Sequence, residues 1–263
     1  MRRRGVFLMT ILVLAGILVL LLLQRGDAPL AVATTTTTAT ATMPRAVATT
    51  TTTATVTTLR SVATTTTLLG TSDPAALAYF AEIAGDSEYG GSGSSIHKWR
   101  TDIRIAVHGG PTGADLAALD AVITDIDAIV DTIDFEIVQS GGNVDLHFTP
   151  TSEFSTILPQ YVSGNLGFFW VWWDDAGWIT DAVVLVSTTD VDETERAHLL
   201  REELTQMLGL MNDSYSYPDS TFYQGWTYVT EYTPLDEVII GMLYDPRVSA
   251  GMTVADVIDL FGS

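Results

Sequence analysis

The order of hydrophobic and polar positions divides the chain into three parts. Gly5 to Leu23 is a run of nineteen residues without a charge, about 28 Å long as a helix and enough to cross a bilayer core. Residues 30–70 are almost entirely Thr, Ala and Val in a 15-residue repeat, a composition that buries too little apolar surface to fold. The pattern predicts a transmembrane anchor at 1–29, a flexible stalk at 30–70 and a folded domain at 71–263.

Arginines before the apolar run predict its orientation. Arg2, Arg3 and Arg4 precede it, so the positive-inside rule places the N-terminus in the cytoplasm and the domain outside. We expect a single-pass protein of the cell membrane. The alternative is a protein secreted after signal cleavage at Ala31-Val32-Ala33. The apolar run is longer than the roughly 7 to 15 residues of a signal peptide, which favours the anchor.

Periodicities within residues 71–263 predict an α+β fold with a mixed twisted sheet and a helical C-terminal part. Ile103, Ile105 and Val107 alternate with polar or small residues, as in a strand. Residues 135–149 are predicted to form a hairpin that turns at Gly141-Gly142. Residues 111–134 are predicted to form one long backing helix with the apolar stripe Leu116, Leu119, Ile123, Ile126, Val130 and Ile133.

A second hairpin is predicted at residues 167–188, with its turn at Asp174–Gly177. Its first strand is apolar on both faces, which is typical of a buried strand. The alternative is a strand at the sheet edge beside a cleft, where it could hold an extended peptide by strand addition. The two faces carry Phe168, Trp170 and Trp172 on one side and Phe169, Val171 and Trp173 on the other.

Composition excludes several classes of function. The chain has no cysteine, so neither a disulfide framework nor a thiolate metal site is available. Six of the 12 basic residues but only one of the 32 acidic residues precede Thr71, so residues 71–263 carry six basic and 31 acidic side chains, a net charge of −25. Such a domain repels phosphate backbones, and we expect no nucleic-acid partner.

Residues 193–210 are predicted to form a helix that carries the candidate chemistry. Thr194 lies near its start and Gly209 at its end. The apolar stripe is Leu200, Leu204, Met207 and Leu208, and the opposite face carries His198, Glu202 and Gln206 at successive i, i+4 spacing. Glu203 lies at the margin of the stripe, where partial desolvation would raise its pKa toward that of a useful general base.

The sequence EELTQMLGLMND at residues 202–213 resembles the HExxHxxGxxxD motif of zincin metallopeptidases, in its metzincin-like and snapalysin-like form. The resemblance implies a zincin-like domain behind the anchor and stalk. In such sites two side chains one helical turn apart hold zinc, and the glutamate between them activates a water. It implies Glu203 as the catalytic residue and Glu202, Gln206 and Asp213 at the metal positions, after a turn at Gly209.

Both histidines of that motif are replaced. Glu202 and Gln206 stand in their places, and a neutral amide oxygen is a poor donor to zinc. His198, one turn before Glu202, could complete a shifted ligand set with Glu202 and Asp213, or it could be an ordinary surface histidine. We expect no cofactor, and zinc only if the site is active.

C-terminal elements resemble an uncharacterised family of bacterial exported proteins grouped with the zincins. They are TPLD at 233–236, LYDPR at 243–247 and GMT at 251–253. Each also suits ordinary structure: Pro234 a helix start, Asp245-Pro246 a turn, and Thr253 an N-cap.

Two functions follow as hypotheses. The favoured one is a membrane-anchored, degenerate metallopeptidase that serves as a binding module for an extracytoplasmic protein or peptide. The alternative is an active metal-dependent peptidase that uses Glu203 as general base with non-standard ligands. The loss of two ligands outweighs the one retained glutamate.

Overall fold

The computed structural model describes residues 73–84 and 95–263, so the predicted anchor and stalk lie outside the described residues. Within these two ranges no helix is both long enough and apolar enough to cross a membrane. The elements, in chain order, are α1 Pro74–Ile83, β1 Ile103–Gly109, α2 Gly113–Asp127, β2 Phe135–Val138, β3 Val144–Thr149, α3 Thr151–Ile157, β4 Gly167–Trp173, β5 Ile179–Ser187, α4 Glu193–Gln206, α5 Pro234–Tyr244 and α6 Val254–Gly262.

One five-stranded sheet organises the domain, in the order β2-β1-β3-β5-β4. Strands β1, β2, β3 and β5 run parallel to their neighbours, and β4 pairs antiparallel with β5 at one edge. The predicted α+β class with a mixed sheet is therefore confirmed. The hairpin predicted at residues 167–188 is also confirmed, with Trp170 opposite Val183.

The hairpin predicted at residues 135–149 is wrong. Strands β2 and β3 lie on opposite sides of β1 and both run parallel to it. The Gly141-Gly142 stretch lets the connection pass close to the β1 backbone, because a Cβ on Gly142 would collide with the carbonyl of Arg104. Asn143 then bonds that strand: its Oδ1 accepts from the Arg104 N–H at 2.6 Å, and its own N–H donates to the Arg104 carbonyl at 3.0 Å.

The predicted long helix is shorter than its hydrophobic pattern suggests. α2 ends at Asp127, and Val130 and Ile133 are buried beyond it, in the turn that leads into β2. Leu116 is 44% exposed. The first turn of α2 instead buries Asp115. Its Oδ1 accepts from Arg196 Nε of α4 at 2.6 Å, so this turn contacts α4 through an ion pair rather than through the predicted apolar side chain of Leu116.

The core lies on both faces of the sheet, and β4 contributes to both. Phe169 and Val171 join the large cluster that includes α2 and α4. Phe168 and Trp170 join a smaller cluster beneath α3 on the opposite face. The prediction of a buried strand is confirmed, although β4 is at the edge of the sheet.

The C-terminal elements have the structural roles expected of them. Thr233 caps α5, which begins at Pro234, and Thr253 caps α6. Tyr244, at the end of α5, donates from its hydroxyl to the Leu208 carbonyl at 3.0 Å. The last helices therefore hold the chain where it leaves α4.

A sharp turn at Gly209 directs the chain after α4. Gly209 has φ +123°, and a Cβ there would collide with the carbonyl oxygen of His97. The carbonyl of Met207, just before the turn, accepts from Trp99 Nε1 at 3.0 Å. Only glycine meets both the conformational and the steric demand at this point.

We predict that Gly209→Ala destabilises the domain by about 2 kcal/mol or more, because a positive φ costs a non-glycine residue about 1–3 kcal/mol and the collision adds to it. Urea unfolding followed by tryptophan fluorescence measures the change. The matched control is Gly113→Ala at the start of α2, where nothing lies within 4 Å of the added Cβ. The control should lose no stability and gain up to about 1 kcal/mol. Equal effects at the two positions would contradict the account of the turn.

Candidate functional site

Helix α4 is buried on every side from His198 to Gln206. It begins at Glu193 after an Asp192 N-cap, so Thr194 lies near its start as predicted, and Glu195 completes the capping box. The helix ends at Gln206, before the predicted end at residue 210. His198, Glu202 and Gln206, on the face opposite the predicted apolar stripe, are buried as well, at 3%, 3% and 0% exposed. Because His198 is only 3% exposed, it is not the ordinary surface histidine that the sequence left as an alternative.

The face that carries His198, Glu202 and Gln206 is covered by the chain that follows Gly209. We call residues 210–232 the covering segment. Three side chains of α4 bond to it: Gln206 to Asp213, His198 to the Val229 carbonyl, and Thr205 to Tyr232. The covering segment therefore closes over the helix where a cleft was expected.

Gln206 and Asp213 are brought together as a hydrogen-bonded pair. Gln206 Nε2 donates to Asp213 Oδ1 at 2.5 Å, and Gln206 itself is fully buried. The turn at Gly209 thus returns Asp213 to the helix, at the positions that the zincin pattern assigns to the second and third metal ligands. Gln206 Oε1 has no hydrogen-bond partner among the described residues.

Glu203 is enclosed without a polar partner. It is 0% exposed, and neither carboxyl oxygen has a hydrogen-bond partner within the described part of the chain. Gly167 at the start of β4 makes room for it, since a Cβ there would come within 2.5 Å of Glu203 Oε1. Burial first, and then the charge of Asp213, raise the pKa of Glu203 well above the ordinary value.

The surroundings of Glu202 also favour its protonated form. Burial, followed by the charges of Asp213 and Glu203, raises its pKa well above the ordinary value. An ionised pair of neighbouring glutamates beside Asp213 would place several like charges in a medium of low dielectric, and protonation relieves that repulsion. The two glutamates therefore share the same shift of their pKa values toward the protonated form.

His198 is fixed as a neutral side chain. Because a carbonyl can only accept, Nδ1 donates to the Val229 oxygen at 2.7 Å, which leaves Nε2 to accept from Thr227 Oγ1 at 3.2 Å. Burial lowers the pKa of His198 despite the bond to Val229. Its Nε2 lies 3.6 Å from Glu202 Oε2, too far for a strong hydrogen bond between two neutral groups.

Sequence reasoning missed the polar residues that hold this arrangement. Arg201 Nη2 donates to Asp125 of α2 at 2.8 Å, and its guanidinium lies 4.3 Å from the centre of the Tyr232 ring. The Tyr232 hydroxyl bonds Thr205 Oγ1 at 2.6 Å. These contacts join residues that are 27 to 76 positions apart in the sequence, so no local sequence pattern predicts them.

The donor atoms of this cluster do not fit zinc. Gln206 directs its NH₂ group, which has no lone pair for a metal, at Asp213, and an amide oxygen is in any case a poor zinc ligand. Both nitrogens of His198 already have partners. In residues 73–84 and 95–263, no three His, Asp or Glu side chains are arranged to hold a metal ion.

The other histidines lie apart from the α4 cluster. The His97 ring stacks on Trp173 at 4.0 Å between ring centres. His108 and His147 stack on each other at 4.5 Å across neighbouring strands, and His108 Nε2 bonds Asp145 at 2.8 Å. None of the three supplies an imidazole to the position of a missing ligand.

Comparison with protein families identifies the group to which the chain is related. Residues 73–262 match the model of a family described as "Protein of unknown function (DUF2927)". The chain belongs to the DUF2927 family. No curated protein matches it. The family description assigns no reaction, so the function of this DUF2927 domain rests on its own residues.

Comparison with solved structures gives a weak likeness to a protein titled myroilysin. Two of its structures are each 16% identical to this chain and match 44% of it, with a TM-score of 0.28. The match spans 47% and 44% of the two myroilysin chains, which is less than half of each. A likeness of this size carries no inference about the activity of the DUF2927 domain.

We predict that the burial of Glu203 makes the domain less stable as pH rises. The folded state keeps a proton that the unfolded chain releases at the ordinary glutamate pKa, so the free energy of unfolding falls above that pH by up to about 1.4 kcal/mol per pH unit for each such proton. Glu203→Gln keeps the shape without the proton, so it should be more stable than the native protein at pH 8 and should show a shallower decline.

Urea unfolding at pH 5, 6, 7 and 8 measures the two profiles. The matched control is Glu136→Gln on β2, since the Glu136 side chain is 69% exposed. Its profile should run parallel to that of the native protein. A parallel profile for Glu203→Gln as well would contradict the assignment of a buried, protonated carboxyl.

Proposed function

We propose that residues 71–263 form a zincin-like domain that binds an extracytoplasmic protein or peptide without hydrolysing it. An uncleaved N-terminal helix and the Thr-rich stalk would hold it at the outer face of the cell membrane. The observation that carries the proposal is the hydrogen bond between Gln206 of α4 and Asp213 of the covering segment. Two positions that would hold a metal in a peptidase of this type are bonded to each other instead.

The order of elements supports the zincin-like part of the proposal. The glutamate-containing helix α4 contacts the antiparallel edge strand β4 and its neighbour β5. A glycine with positive φ follows the helix, and Asp213 returns to it. The glycine turn and the return of Asp213 to the helix are what the EELTQMLGLMND pattern implies, with altered atoms at the ligand positions.

The state of Glu203 argues against hydrolysis. A general base must be ionised and within reach of the proton that it removes. Burial raises the pKa of Glu203 well above its ordinary value, which favours the protonated form that cannot accept a proton. Glu203 is also closed off from solvent in this arrangement, so a peptide could reach it only after the surrounding chain moved.

One observation favours the alternative of an active peptidase. Both oxygens of Glu203 are buried without a partner, a costly arrangement of the kind that active sites preserve. Activity would require the covering segment to move and Gln206 to release Asp213. Measurements of metal content and of peptide cleavage therefore distinguish the two functions.

We predict that the purified full-length protein retains clearly less than one zinc per chain after dialysis and does not cleave casein. Elemental analysis and a fluorescent casein assay measure the two quantities. One tightly held zinc per chain, with casein cleavage that is lost in Glu203→Gln, would establish the active peptidase instead. Glu136→Gln serves as the control for that loss.

Two further variants make the metal measurement specific. Glu202→His with Gln206→His restores imidazoles at the motif positions and should raise zinc retention at least about tenfold, since even outer-shell changes alter metal affinity by about 10-fold to 100-fold. His108→Gln with His147→Gln removes the stacked pair on the sheet. Zinc that disappears in this second variant would belong to the pair and would leave the proposal intact.

A further inference from the structure

We propose that the outer side of the covering segment is a docking surface for a cationic segment of another protein. This inference rests on the proposed binding function and names the surface and the chemistry of its partner. The surface consists of Tyr215, Trp226 and Tyr228 with the neighbouring acids Glu82, Asp219 and Glu231.

Exposed aromatic side chains are concentrated in this segment. Five large hydrophobic side chains are exposed in the described part of the chain, and three of them belong here: Tyr215 at 68%, Trp226 at 47% and Tyr228 at 56%. The other two, Leu116 and Ile137, are aliphatic and lie on α2 and β2. Clustered exposed apolar groups of this kind mark interaction sites more often than scattered ones do.

The aromatic side chains stand outward because their neighbours are bonded inward. Thr227 and Val229 contact His198 of α4, while Trp226 and Tyr228, which alternate with them, are exposed. Thr227 makes its contact through the side chain and Val229 through the backbone carbonyl, and both residues are half-buried whereas Trp226 and Tyr228 are exposed. His198 therefore fixes the inner side of the stretch and leaves the two rings free for a partner.

A second set of contacts anchors the Tyr215 end of the surface. The Ser214 N–H donates to the Phe222 carbonyl at 2.8 Å, and the Gln224 N–H donates to the Ser214 carbonyl at 2.9 Å. The Tyr215 ring meets Tyr223 edge to face at 6.0 Å. Ser214, next to Tyr215, is thus bonded to Phe222 and Gln224 within the covering segment, which lowers the ordering cost of binding.

Charge indicates the nature of the partner. From Glu202 to Pro246 the chain contains no Lys, Arg or His. The exposed acids Asp219 and Glu231 lie in the covering segment, and Glu82 Oε1 accepts from Ser214 Oγ at 2.7 Å, directly beside Tyr215. Aromatic faces and carboxylates both attract Lys and Arg side chains. An anionic partner would be repelled.

Composition favours a protein over a glycan as the partner. Residues 213–232 are rich in Tyr, Ser and Thr and include Trp226 and Gly225, a mixture like that of antibody binding loops. Tyr and Trp there supply contact area at low conformational cost, and the small polar residues supply adaptable hydrogen bonds. A neutral sugar would gain nothing from the acidic surroundings, whereas a basic peptide would.

The test measures binding of a short fluorescent peptide of alternating Lys and Leu to the full-length protein in neutral detergent, by fluorescence anisotropy. We expect Trp226→Ala with Tyr228→Ala to weaken binding about tenfold or more, which corresponds to about 1.4 kcal/mol. The matched control, Leu116→Ala with Ile137→Ala, removes the other exposed hydrophobic side chains and should stay within about twofold of the native protein.

A second pair of variants tests the charge. Asp219→Asn with Glu231→Gln should weaken binding about threefold or more at low salt, since neutralised acids no longer attract the peptide. Asp120→Asn with Asp131→Asn makes the same change in net charge elsewhere and should have less effect. Circular dichroism melting curves show whether each variant is folded. If a pair unfolds, Trp226→Phe and Tyr228→Phe are used singly, with weaker binding expected from each.

Three results would overturn the inference: no binding of the basic peptide, equal effects of the surface and control variants, or equally tight binding of an acidic Glu-Leu peptide or of chitohexaose. Mass spectrometry of the bound peptide, with zinc added, separates this failure from that of the proposed function. Cleavage of the peptide would overturn the binding-module proposal, whereas the docking surface is judged by the binding of the surface and control variants alone. Absence of binding would overturn the surface alone.

Discussion

The complete burial of α4 is the constraint on which the rest of the structure depends. A buried polar group costs about 1–3 kcal/mol when it lacks a partner, and this helix buries Arg201, Thr205 and Gln206 along with its leucines. Thr205 Oγ1 bonds the Arg201 carbonyl within the helix, and all three side chains also have a partner outside it. Asp125 of α2 bonds Arg201, while Tyr232 and Asp213 of the covering segment bond the other two. The buried polar side chains of α4 thus constrain where α2 and the covering segment lie.

Within the residues that the structure describes, Glu203 has no polar partner on either carboxyl oxygen, whereas Arg201 and Gln206 each have at least one bonded atom beside unpartnered ones. Its carboxyl is buried without a partner, so the protein avoids the far greater cost of a buried charge by keeping the proton. A leucine would fill such a place at lower cost. Packing alone therefore does not account for the carboxyl, and burial raises its pKa well above the ordinary value.

Local features could be read from the sequence, and long-range ones could not. The β4–β5 hairpin, the start of α4 and the turn at Gly209 each depend on a few adjacent residues, and the pattern predicted them. The parallel placement of β2 and β3 depends on β1, which lies some 30 residues earlier. The burial of His198 depends on Val229, 31 residues later. The covering segment has no helical or strand periodicity, so nothing in it predicts that it lies over α4.

The covering segment bonds to the α4 cluster on its inner side and carries the aromatic surface on its outer side. It cannot keep this arrangement and also admit a substrate to Glu203. Thr227 and Val229 bond inward to His198, while Trp226 and Tyr228 between them stand outward. If the segment moved to give a substrate access to Glu203, the bonds to His198 would break and the outward rings would lose their fixed positions. A domain that binds through these rings therefore needs the cluster closed, and a domain that hydrolyses peptides needs it open. The paired Gln206 and Asp213 stabilise the closed arrangement, and it is in that arrangement that the aromatic surface exists.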